Sequence, residues 1–101
     1  MNWFKQSQSY NTTEEAIDWL TRSNISMEGD RYVFYHGSPN ENNLTELRAG
    51  SLLADTEAEA RHFAAHNRYL KPEDIVVYKL LVGPEDINTG VFPSLNRSYK
   101  L

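Results

Sequence analysis

The chain has no cysteine, which at one stroke excludes disulfide bridges, a thiol nucleophile and any thiolate-held metal. An intracellular, cytoplasmic setting is therefore the expectation. Long apolar runs are missing too. The longest mostly apolar stretch, Ile75 to Val82, interrupted by Lys79, falls far short of the about 20 residues that span a bilayer, and Met1-Asn2-Trp3-Phe4-Lys5-Gln6 carries no apolar segment of the signal-peptide kind. A soluble protein without membrane contact is expected. Positive charge is in deficit, with 10 Lys plus Arg against 14 Asp plus Glu and a formal net charge of -4. That balance argues against gripping nucleic acid through a general field. A local group, Arg61, Arg68 and Lys71, could meet an acidic ligand, although a solvated helix face is its plainer reading. No repeat, low-complexity tract or linker divides the chain, and no Gly-rich phosphate loop opens a helix.

What is present suffices for one modest core: 101 residues, 40% apolar and 12% aromatic, read as a single domain over residues 1–101. Thr12-Thr13-Glu14-Glu15 has the hydroxyl and the first-turn acids of a helix start. Ala16, Ile17, Trp19 and Leu20 then give it an apolar face up to Arg22-Ser23-Asn24. Met27 to Asp30 reads as a turn, Tyr32 to Tyr35 as a strand, and Pro39 to Asn43 as a polar loop. Leu44 to Arg48 reads as one helical turn closed by Gly50, and Ser51 to Ala54 as a short strand. A helix capped by Asp55 or Thr56 runs from Glu57 to about Asn67, with Ala60, Phe63 and Ala64 on one side. Ile75 to Val82 is the strongest strand and is expected to be central, with Gly83-Pro84 stopping it. One short edge strand is expected in the tail, where Pro93 discourages anything more. This order of elements defines an α+β fold.

Candidate chemistry concentrates at Tyr35-His36-Gly37-Ser38, read as a bare turn where a strand ends. His36 can donate or accept near neutral pH, Gly37 admits a ligand close to the main chain, and Ser38 adds a hydroxyl. If the strand after Gly50 lies alongside, the next helix lays Phe63 over the same end. Imidazole, exposed backbone and an aromatic face then suit a planar heteroaromatic amide carrying a ribose. His62 and His66 have metal-ligand spacing on one helix face but no third ligand nearby, so no metal is assigned. Phe63 also satisfies plain helical amphipathicity, and Trp19, Tyr69 and Tyr78 read as core or rim aromatics.

Three segments, Val33-Phe34-Tyr35-His36-Gly37-Ser38, Leu47-Arg48-Ala49-Gly50-Ser51-Leu52-Leu53-Ala54 and Ala60-Arg61-His62-Phe63-Ala64, occur in the order seen in one family. Together they resemble the NAD-binding core of ADP-ribosyltransferases of the diphtheria-toxin and poly(ADP-ribose)-polymerase type. The resemblance covers Arg31 to about Val82 and implies a small split β-sheet with flanking helices and NAD as substrate. It further implies that His36 hydrogen-bonds ribose hydroxyls, that the main chain of Gly37, with Ser38 beside it, clasps the nicotinamide carboxamide, and that Phe63 stacks on the nicotinamide ring. The chain departs from the family pattern in having Leu52 and Phe63 where tyrosine is common, and Ala60 where a small hydroxyl residue is common. The family's catalytic acid on a later strand has two candidates, Glu85 and Asp86, both in the turn after Val82.

Two classes of function follow. The first is a mono-ADP-ribosyltransferase-like effector, phage-encoded or toxin-like in its compactness, acting on a macromolecular target that is protein rather than nucleic acid. In it His36 and Glu85 would serve catalysis. The second is a non-catalytic inhibitor or adaptor that uses the same fold to hold a partner protein. An unrelated small α+β domain is the third reading.

Overall fold

A computed structural model describes residues 12–90 and 92–101, and of Asn42 and Arg68 the backbone. The reading of Met1 to Gln6 lies outside the described residues, as does that of the Arg68 side chain. Helix α1 (Thr13–Arg22) starts where expected: Thr12 Oγ1 accepts from the Glu15 N–H at 3.1 Å, relieving one of the amides that a helix start leaves unpaired. Ala16 and Leu20, four residues apart on one face, are its buried pair. Helix α2 (Glu57–Arg68) is capped in the same way, with Thr56 Oγ1 accepting from Glu59 N–H at 3.1 Å.

The main sheet orders β1 (Met27–Glu28), β2 (Arg31–Pro39) and β4 (Ile75–Val82) side by side. Met27–Glu28 is a short strand, β1, that pairs with the start of β2 (Arg31–Pro39) through the two-residue turn Gly29-Asp30. Gly29 takes φ 62 there, the left-handed geometry such a turn needs. β4 (Ile75–Val82) runs antiparallel to β2 along its whole length, from Tyr32 opposite Val82 to Pro39 opposite Ile75. β4 has the predicted bounds but not the predicted place: β2 is central, and β4 pairs with β2 alone among the described residues. Its run of apolar residues reflects coverage on its faces, by α2 and by the core that holds Leu80 and Val82, rather than neighbours on both edges.

Three other expectations change for one shared reason, strand pairing with segments distant in the chain. His36-Gly37-Ser38 is not a bare turn, because β2 continues through it to Pro39. Leu44 to Arg48 is not a helical turn: Glu46–Leu47 forms β3, paired with β7 (Tyr99–Lys100). So short a segment cannot meet the cost of helix nucleation, whereas pairing with the tail buries Leu47 to 2% exposure. Among its described residues the tail holds three two-residue strands rather than one, since β5 (Ile87–Asn88) and β6 (Ser94–Leu95) pair with each other before β7. Tyr69, in the left-handed region at φ 56 as the C-cap of α2, is 96% exposed, so it is neither core nor rim.

One cluster, built on Leu20, Phe34, Leu53, Leu80, Val82, Ile87 and Leu95, joins α1, the main sheet and the tail. Partly buried Trp19 and Tyr78 pack against it. Among the described residues no helix is long and apolar enough to cross a membrane.

Candidate functional site

The segment 50–54 lies between β2 and the tail and is hydrogen-bonded to both. Tyr35 and Ala54 exchange two backbone hydrogen bonds of 2.8 Å, while Gly50 N–H donates to Leu95 O and Leu53 N–H to Pro93 O, each at 2.8 Å. Beyond Tyr35 the pairing of β2 with this segment stops. The His36 side chain spans the opening instead, its Nδ1 lying 2.7 Å from the carbonyl oxygen of Leu52. A carbonyl only accepts, so Nδ1 carries the proton and donates it. In the neutral ring, Nε2 is left with an acceptor lone pair.

Where the two segments part, a cleft of about 590 Å³ opens, floored by Tyr35, His36 and Gly37 of β2. Residues 50–54 form one wall, and Ala60, Phe63, Ala64 and Asn67 of α2 the other. The size is that of a small-molecule site, roughly 300–1,000 Å³.

Gly37 serves this cleft twice. Along an extended strand, residues two apart direct their N–H and C=O to the same edge, so Gly37 points its pair to the edge where Tyr35 meets Ala54. Among the described residues no partner takes that pair. The same residue lets α2 sit directly on the strand, because a Cβ here would lie 2.6 Å from the Ala60 carbonyl oxygen and 2.9 Å from the Ala64 Cβ.

The structure thus brings together His36, Gly37 and Phe63. Ser38, next on the strand, is 3% exposed and does not line the cleft. Glu85 is not brought there either. It stands in the turn Pro84–Asp86 after Val82, at the Tyr32 end of β2. That is four residues, about 13 Å of strand, from His36, and the Glu85 carboxylate folds back over Gly83. Asp86 is committed to holding the tail: it accepts from Gly83 N–H at 2.9 Å and from Arg97 at 2.8 Å, and it faces Arg31 at 3.5 Å. Among the described residues no carboxylate lines the cleft.

Arg61 is likewise occupied, donating to the carbonyls of Pro72 and Ile75 at 2.8 Å each and so fastening α2 to the start of β4. The rings of His62 and His66 stack at 6.1 Å, and no group of three metal-ligating side chains occurs among the described residues. Sequence reasoning missed Asn67 and Ser51 as lining residues. Asn67 was within reach, since it falls four positions after Phe63 on the same helix face. Ser51 carried no signal before its pairing partners were known. Comparison with protein-family models, curated proteins and solved structures returns no match.

Proposed function

We propose that the protein is an NAD-binding, ADP-ribosyltransferase-like protein, its sheet the split kind that the resemblance implies. The observation that carries the reading is the N–H and C=O pair of Gly37, without a partner among the described residues, at the floor of a cleft that also holds His36 and Phe63. A primary carboxamide is the complement of such a pair, with its oxygen accepting from the N–H and its NH₂ donating to the carbonyl. The nicotinamide ring lies against Phe63. The Nε2 lone pair of His36 accepts from a ribose hydroxyl, while the Leu52 carbonyl fixes the ring tautomer.

Transfer of ADP-ribose to a macromolecular target breaks the bond between ribose and nicotinamide through an oxocarbenium-like state. A carboxylate at the ribose stabilises that state by several kcal/mol, orders of magnitude in rate. That no carboxylate among the described residues lines the cleft favours the second reading, a non-catalytic inhibitor or adaptor that keeps the cleft and holds a partner protein. In either role it suits a phage-encoded or toxin-like effector.

Nicotinamide release from NAD, followed with and without a host-cell extract, separates the two. Release above the buffer rate that disappears in His36→Ala supports transfer. Binding of NAD without release supports the adaptor, and neither binding nor release removes NAD from this cleft.

A further inference from the structure

A second cavity of about 240 Å³ lies on the other side of Phe63. It is smaller than the roughly 300–1,000 Å³ of small-molecule sites and matches a single side chain. Its lining is aromatic on three elements: Trp19 from α1, Phe63 from α2 and Phe92 from the tail, over a floor containing the fully buried Phe34. Phe63 and Phe92 meet edge to face, with centroids 6.2 Å apart and planes at 84°, so the two rings form a corner rather than a stack. Phe92 is 62% exposed, a large apolar surface held at the mouth.

Two carboxylates, Asp55 and Glu59, also line this cavity. Neither has an ion-pair partner among the described residues, whereas Glu57, on the same turn of chain, faces Arg61. Exposed acids alone would be a solvated rim. Acids joined to ring faces around a side-chain-sized hollow are a setting for a cation, attracted both by the aromatic quadrupoles and by the charges.

We infer that this cavity binds a guanidinium group, the arginine side chain of a protein partner. The planar cation lies on a ring face and turns its N–H edge toward Asp55 and Glu59. Arginine fits better than lysine because a flat, weakly hydrated group stacks in a narrow slot where a compact, strongly hydrated ammonium does not. This inference is independent of NAD in the first cleft, and its test uses no nucleotide.

The test is NMR titration of the full chain with N-acetyl-arginine methylamide, and in parallel with the citrulline, lysine and norleucine analogues. The expected result is a saturable shift of the Trp19 indole, Phe63 and Phe92 signals with the arginine probe, and at least about 5-fold weaker binding of citrulline. Asp55→Asn and Glu59→Gln each weaken the arginine probe by about 3-fold and erase its advantage over citrulline. The lysine probe binds less tightly than arginine. No saturable shift, equal binding of norleucine or citrulline, or tighter binding of lysine overturns the assignment. The probe series on the wild-type chain gives this answer even where a variant folds poorly.

Discussion

The two ends of the β2–β4 ladder do opposite work. At the Tyr32–Val82 end, charges are spent inside the molecule: Asp86, its side chain 15% exposed, gathers Arg31, Arg97 and the Gly83 N–H, tying the tail to the sheet. Toward the Pro39–Ile75 end, around His36 and Gly37, hydrogen-bonding capacity is left over among the described residues, as the backbone pair of Gly37 and the second nitrogen of His36. Groups that find partners within the chain build the fold, and under the proposed function the groups that the fold leaves without them are the ones offered to a ligand. Asp86 belongs to the first kind, although sequence alone sets it, with Glu85, beside the strongest strand as a candidate acid.

The contrast breaks most severely at Gly37. Gly37→Val drives a side chain into the Ala60 carbonyl and pushes α2 off β2. It is expected to cost about 3 kcal/mol in urea denaturation and to abolish ligand binding. Asp86→Ala attacks the other end: it strands two arginines and the Gly83 N–H, with an expected loss of about 2 kcal/mol and NAD affinity unchanged. Glu85→Gln sharpens the comparison by doing little, with stability shifted by less than about 0.5 kcal/mol and both NAD affinity and nicotinamide release as in the wild type. A fall in release would return Glu85 to the chemistry.

The smallest effect is at Lys79, whose pKa is raised above the ordinary lysine value chiefly by its hydrogen bond to Glu28. A raised folded-state pKa means stabilisation that is complete below the unfolded value and lost as pH rises through the folded one. The small melting-temperature gap between wild type and Glu28→Gln is therefore expected to close in strongly alkaline solution, read by thermal denaturation across pH.

The parts of the molecule governed by local physics were legible in the sequence. Thr12 and Thr56 announce α1 and α2 by cap chemistry, and Ile75–Val82 announces β4 by its β-branched apolar run. Long-range pairing was not legible. Nothing local in Glu46-Leu47 reveals that Tyr99-Lys100 will complete it, and nothing after Tyr35 reveals that Val76 to Tyr78 will carry the strand onward. The cleft divided in the same way. The order of their segments points to His36, Gly37 and Phe63, but the role of Gly37 in admitting α2 depends on Ala60, 23 residues later in the chain. Ser38 and Glu85 were drawn in by adjacency in sequence, which an extended strand and a turn at the far end of the ladder do not respect.

The most direct measurement is calorimetric titration of the full chain with NAD beside its His36→Ala variant, with both shown to be folded. Saturable binding to the wild type that is lost in the variant is the predicted result. No heat at millimolar NAD, or equal binding by the variant, would contradict the claim that the capacity left over at the His36 end of the ladder is a nicotinamide site.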